Sequence, residues 1–181
     1  MSDPDRLRAL IAPLRTAMAN FDSALVQSAL GEVMAADATV HLCHPFGDLP
    51  GPQALYAAAY APLFNSLPDL ERRDWIVSAG TDANGHDWIG CAGHYVGTFT
   101  RPFLDIPQTG HFAHMRFHEF YRVEDSRVVE MQAIWDIPEL MMQAGAWPMV
   151  PSLGREMYIS GPASQDGLFF EAPTATQSAQ S

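Results

Sequence analysis

Basic residues are scarce in this chain: ten Lys plus Arg stand against 21 Asp plus Glu in 181 residues, a formal net charge of -11. A surface field of that sign repels phosphate backbones and anionic lipid headgroups, so nucleic-acid and membrane-surface partners are disfavoured. Cysteine is nearly absent. Cys43 and Cys91 form no CxxC pair, which argues against a disulfide scaffold or a zinc finger, and both read as small buried apolar residues. No apolar run approaches the roughly 18 to 20 residues of a spanning helix, and Met1 to Arg6 lacks the basic-then-apolar pattern of a secretory leader. The expectation is a cytoplasmic protein. Also missing are a Gly-x-Ser-x-Gly elbow, a phosphate-cradling Gly-rich loop and a dinucleotide fingerprint, which removes the commonest nucleophilic and nucleotide-dependent classes. Cofactor-free acid/base chemistry or simple binding remains.

What is present suffices for one sizeable core, since 48% of the residues are hydrophobic. Leu7, Leu10, Ile11, Leu14 and Met18 recur at helical spacing, interrupted by Pro13, and a second helix is expected after Asp22 or Ser23. The chain then turns β-rich from Asp37 to Cys43, and Pro45 to Pro52 reads as a loop. Pro52 suits the first turn of a third helix through Phe64, with Pro62 kinking or capping its end. Four strands are expected over 70–79, 87–99, 112–123 and 128–135, then a short helix over 137–144 with Gly145 at its C-cap. Helices first and consecutive antiparallel strands after them predict an α+β domain, helices covering one face of a curved sheet and enclosing a mostly apolar pocket. The domain is placed at 1–147. The Pro-, Gly-, Ser- and Thr-rich stretch 148–181 reads as an extended or weakly ordered arm.

Seven histidines occur, and His41-x-x-His44 invites a metal reading. On a strand, however, positions three apart point to opposite faces, so no metal is expected there. In the last hairpin, Glu130, Gln132, Ile134 and Asp136 share one face, read as the pocket side. Val129, Met131, Ala133 and Trp135 share the other, read as an exposed apolar patch that a homodimer would cover. Asp136 sits where strand meets helix. A carboxylate with apolar neighbours can exchange protons near neutrality, while Asp before Ile137 and Pro138 is also an ordinary helix cap. The two roles are compatible.

Together, Leu67-Pro-Asp69, Gly93-His-Tyr-Val-Gly-Thr-Phe99, Ile106-Pro-Gln-Thr-Gly110, Tyr121-Arg-Val-Glu-Asp-Ser-Arg-Val-Val-Glu130, and Asp136 followed by Gly145 resemble the SnoaL-like polyketide cyclases. These are ester cyclases of the nuclear transport factor 2-like superfamily, and the resemblance spans about residues 20 to 146. It implies a cone-shaped α+β fold with a deep pocket, usually a homodimer, and no metal or organic cofactor. It also implies ring closure of a polyketide ester by intramolecular aldol condensation, with the acid/base Asp falling on Asp136. Departures occur along the implied pocket wall: Tyr95 stands where the family often has His, with His94 before it, and Gln132 where Trp is frequent.

The leading reading is a cofactor-independent cyclase or lyase acting on a hydrophobic carbonyl compound. Asp136 moves the proton and His118 assists, with Glu119 or Glu130 as the substitute partner; His94, Tyr95, Phe99, Arg116, Glu119, Gln132 and Trp135 contact the substrate. The side His118 faces depends on hairpin register: a turn of three unpaired residues brings it opposite Ile134, and a turn of two or four turns it away. The alternatives are a binding module for an apolar metabolite, or an epoxide hydrolase-like activity using Arg116 and Asp136.

Overall fold

The computed structural model describes residues 3–150 and Gly154. Almost all of the expected arm therefore lies outside the described residues. Asp3 caps the first helix by accepting from the Asp5 amide, Pro4 takes the first helical position, and α1 runs Pro4–Ala19 with Leu7, Ile11, Leu14 and Met18 buried. Asp22 caps α2 (Ser23–Val33) through the Leu25 amide. The chain then passes directly into β1 (Met34–Leu42), which starts three residues earlier than expected. The stretch read as a loop contains a short strand, β2 (Gly47–Pro50), antiparallel to β1. Its proline and glycines disguise it, and a proline is tolerable there because β2 is an edge strand.

The third helical segment is continuous but changes pitch: α3 (Gly51–Leu55), a π turn (Tyr56–Tyr60) and α4 (Ala61–Ser66). Pro62 supplies the reason. It has no N–H to donate and its ring crowds the turn before it. That turn is widened, the Ala61 amide reaching back to the Tyr56 carbonyl.

The remaining strands are β3 (Glu71–Thr81), β4 (Asp87–Thr98), β5 (Phe112–Glu124) and β6 (Arg127–Trp135), followed by α5 (Ile137–Gln143) and Gly145 at φ +65°. They complete an α+β fold on a curved, unclosed six-stranded sheet of order β2-β1-β6-β5-β4-β3. All neighbours are antiparallel except β1 and β6, which run parallel. This crossover sets the last strand in the middle of the sheet, with α1 against β3 and β4 and α3 against β1. Among the described residues, no helix is long and apolar enough to cross a membrane.

The inner face, beneath the helices, carries Val77, Tyr95, Phe117, Tyr121, Met131 and Trp135, all buried. This corrects the expected faces of β6. Met131, Ala133 and Trp135 belong to the core, whereas Gln132 is exposed and Ile134 is 65% exposed. Burying the apolar alternation against the apolar stripes of the helices is the more favourable choice, because the polar face can remain hydrated. The patch invoked for a dimer is therefore the core itself, and the face left outside carries Phe120 and Ile134.

Gly93 shows how closely β3 and β4 approach beside the irregularity between Asp74 and Ile76. A Cβ at residue 93 would lie 2.0 Å from the Arg73 carbonyl oxygen, a backbone atom that cannot rotate away. Gly93→Ala is expected to cost about 1–3 kcal/mol or more by forcing the strands apart, read as a lowered denaturation midpoint. An unchanged midpoint would show that the bulge relaxes freely.

Candidate active site

In the strand sequence Phe117-His-Glu-Phe-Tyr121, alternation places Glu119 on the same inner face as Phe117 and Tyr121, and Glu119 is fully buried. A buried carboxylate must be paired or hydrogen-bonded, and this one is both. Its Oε2 accepts from Arg72 Nη1 at 2.6 Å and from the Tyr121 hydroxyl at 2.6 Å; its Oε1 accepts from the Tyr95 hydroxyl at 2.7 Å and from Trp135 Nε1 at 3.0 Å. Arg72, on β3, also donates from Nε to Asp74 at 3.0 Å and from Nη1 to the Tyr95 hydroxyl at 3.2 Å, and its guanidinium carbon lies 4.2 Å from the centre of the Phe117 ring. Burial works against the Arg72 charge, but Glu119 together with Tyr95, Tyr121 and Asp74 outweighs it and holds the guanidinium protonated. Burial, reinforced by Glu119, pushes the Tyr95 and Tyr121 hydroxyls well above their ordinary range, so both stay donors. Tyr60, from the π turn, packs edge-on to Tyr95 and tilted against Trp135, and its hydroxyl is likewise pushed up by burial first and Glu119 second. A carboxylate holding four donors is an electrostatic anchor.

A second polar cluster forms where α5 closes the free end of β5. Beyond Trp135, β6 no longer pairs with β5, and side chains of α5 replace it. The Arg116 amide donates to Glu139 Oε2 at 2.7 Å, the His114 amide donates to Gln143 Oε1 at 3.0 Å, and Gln143 Nε2 donates to the His114 carbonyl at 2.6 Å. Glu139 and Gln143 are four apart and so share one helix face. Glu139 is fully buried, with its Oε1 3.2 Å from His114 Nδ1, 3.8 Å from His94 Nε2 and 3.8 Å from Arg116 Nη2. Burial pushes its carboxyl upward, but His114, His94 and the Arg116 amide outweigh this and hold it well below the usual carboxylate range.

Asp136 stands at the junction. Its amide donates to the Arg116 carbonyl at 2.8 Å, and its Oδ1 caps α5 by accepting from the Glu139 amide at 3.1 Å. Its second oxygen takes no hydrogen bond from the described residues, and the side chain is half-buried. Cys43 lies near enough for the Asp136 charge to act on its thiol, and the Cys43 sulfur hydrogen-bonds the Trp135 backbone.

With this geometry in hand, the family model described as SnoaL-like polyketide cyclase matches residues 12–144. The chain belongs to the SnoaL-like polyketide cyclase family. Among solved structures it is similar to AclR, a hydroxylase candidate from Streptomyces galilaeus, with TM-score 0.65, 18% identity, and coverage of 82% of this chain and 86% of that one. IdmH, a polyketide-cyclase candidate from Streptomyces antibioticus, matches with TM-score 0.60, 24% identity, and coverage of 76% and 96%. A SnoaL-like protein from Jannaschia sp. CCS1 matches with TM-score 0.63, 19% identity, and coverage of 82% and 100%. At these identities the structures speak for the fold. No curated protein matches the sequence.

The SnoaL-like motifs turn out to be largely architectural. Asp69 accepts from the Thr98 amide and hydroxyl, both at 2.6 Å, tying the chain before β3 to the end of β4. Gly110, at φ +71°, turns the loop so that its amide reaches the Phe99 carbonyl, while the Phe99 amide reaches the His111 carbonyl.

The residues expected to form one site divide between the two sides of the sheet. Tyr95, Glu119 and Trp135 meet in the interior network, and Phe99 is buried nearby in the core. His94 and Arg116 join Glu139 on the outer side, while Gln132 and His118 are exposed there. His118 does pair with Ile134, but by a different route from that expected: the turn has only two residues, Asp125 and Ser126, and an irregularity between Arg122 and Val123 restores the register. It therefore shares the exposed face with Ile134, in a shallow groove with His41 and Phe120. Arg72, Tyr60, Tyr121, His114 and Glu139 escaped the sequence reading. A charged residue at an apolar-face strand position, as Glu119 is between Phe117 and Tyr121, was the available signal for the interior cluster. Nothing comparable marks Glu139.

Proposed function

We propose that this SnoaL-like protein closes rings in a hydrophobic carbonyl compound of the polyketide-ester type, by acid/base catalysis at Asp136 and without an organic cofactor. The observation that carries the reading is the division of labour within one carboxylate: Oδ1 fixes the group as a helix cap, and the other oxygen is left for a proton at the family's acid/base position. Abstraction of the proton α to a carbonyl gives an enolate, which attacks a second carbonyl of the same molecule; the protonated Asp136 then returns the proton to the new alkoxide. Trp135, which precedes Asp136, is tied to the interior network by its hydrogen bond to Glu119. Exposure of His118 on the outer face makes it a weaker candidate for assistance than the second Asp136 oxygen itself.

The test is a panel of epoxides and of hydrophobic β-keto esters that carry a second, remote ketone or aldehyde, incubated with the full chain. Formation of ring-closed isomers of unchanged mass supports the reading. Hydration of the epoxides instead would favour the hydrolase alternative, and ligand-induced stabilisation with no turnover would favour a binding module.

A further inference from the structure

We propose that His94, His114 and Glu139 form a binding site for one divalent transition-metal ion of the zinc, cobalt or iron(II) type. This departs from the metal-free expectation above, which rests on the strand spacing of His41 and His44 and on the family resemblance; those two histidines are not the residues that converge. His94 comes from β4, His114 from β5 and Glu139 from α5, and all three are buried. One ligand atom from each lies within 4.8 Å of the others. Metal–nitrogen and metal–oxygen bonds of about 2.0–2.2 Å in tetrahedral geometry place neighbouring donors about 3.3–3.5 Å apart. The observed separations from Glu139 Oε1, 3.2 Å to His114 Nδ1 and 3.8 Å to His94 Nε2, bracket that range.

The donor set points to the ion. Two imidazoles and one carboxylate suit zinc and its transition-metal neighbours, whereas magnesium and calcium prefer oxygen donors. Three protein ligands leave a position for water or a small ligand, as in sites that do chemistry.

The surrounding structure orients the ligands before any ion arrives. Glu139 Oε2 is taken by the Arg116 amide, which turns Oε1 toward the histidines. Gln143, one turn further along α5, grips both backbone groups of His114, so helix and strand are held in register. The Trp75 ring, 4.2 Å from the His94 ring, supplies an apolar wall. The opposing feature is the Arg116 guanidinium, 3.8 Å from Glu139 Oε1; its side chain is 39% exposed, so water screens its charge.

The site shares α5 with the Asp136 cap, but its test reads metal alone and needs no turnover. The full-length chain is stripped with a chelator, dialysed and titrated with Co2+, followed by visible absorption and calorimetry. One equivalent per chain with the ligand-field bands of low-coordinate cobalt, displaced by Zn2+, is expected. His114→Gln leaves the backbone bonds to Gln143 in place, and Glu139→Gln keeps an acceptor for the Arg116 amide. Each should abolish the bands and weaken binding by more than the roughly 10–100-fold that loss of an outer-shell partner costs. Thermal melts of both variants establish that they fold. His41→Ala, which removes the surface His41–Asp48 pair, should leave binding intact. Failure of the wild-type chain to take up an equivalent of Co2+, or binding that survives His114→Gln and Glu139→Gln, would overturn the site.

Discussion

Replacing Glu119 by Ala is expected to destabilise the protein by about 3–5 kcal/mol, because it removes one partner of a fully buried ion pair and leaves the other charged. Among the described residues Arg72 would keep Asp74 as its one acidic neighbour, and Tyr95, Tyr121 and Trp135 would each lose an acceptor. For a chain of this size, that loss corresponds to a drop of roughly 6–20 °C in melting temperature. Glu119→Gln retains volume and an acceptor and should fall between. The paired change Arg72→Met with Glu119→Leu should recover much of the loss, since a buried pair replaced by apolar groups is often neutral. Denaturant unfolding of the two single variants and the double variant gives the coupling directly. A loss below about 1 kcal/mol for Glu119→Ala would mean that water reaches the interior and solvates Arg72.

The second large effect concerns rate. Asp136→Asn preserves the Oδ1 that accepts from the Glu139 amide, and Asn caps helices about as well as Asp, so the fold should be unchanged. Turnover should fall by about 10²–10⁴-fold, the usual worth of general acid/base assistance. Asp136→Ala removes cap and base together and should lose a further ~0.5–2 kcal/mol of stability. Because the cap also positions Glu139 at the end of β5, part of that loss should appear as fraying of α5, visible as faster amide exchange over Ile137 to Gln143. Equal melts for Asn and Ala would show that the cap contributes nothing. Equal turnover for wild type and Asn would leave Asp136 as a cap alone.

These two residues also show what could be read from the chain and what could not. Periodicity located the helices and the four long strands, since burial of one face imposes a period on the sequence. It did not reveal β2, whose Gly47-Asp-Leu-Pro50 carries turn residues and little apolar alternation. The apolar face of β6 is evident in Met131, Ala133 and Trp135, yet grouping Asp136 with Gln132 and Ile134 as one pocket face assigns it to the outside. The strand ends at Trp135, however, and Asp136 leaves its alternation to cap a helix at φ -78° and ψ 67°, so strand parity says nothing about where its carboxylate lies. Glu119, expected only as a substitute partner, is the hub of the interior network. Arg72 stands opposite Tyr95 only through the β3–β4 pairing, and Glu139 meets His94 and His114 only after α5 folds back along β5. Such contacts depend on register and crossover, which short-range pattern does not encode.

The most direct measurement is exchange of the α-proton of a hydrophobic β-keto ester in D2O, followed by NMR under mildly acidic conditions where spontaneous exchange is slow. It isolates proton abstraction from ring closure, so it does not require that the natural substrate be in hand. The account predicts exchange accelerated by the wild-type chain and reduced by about 10²–10⁴-fold in Asp136→Asn at unchanged melting temperature. Exchange that proceeds equally fast in Asp136→Asn would contradict it.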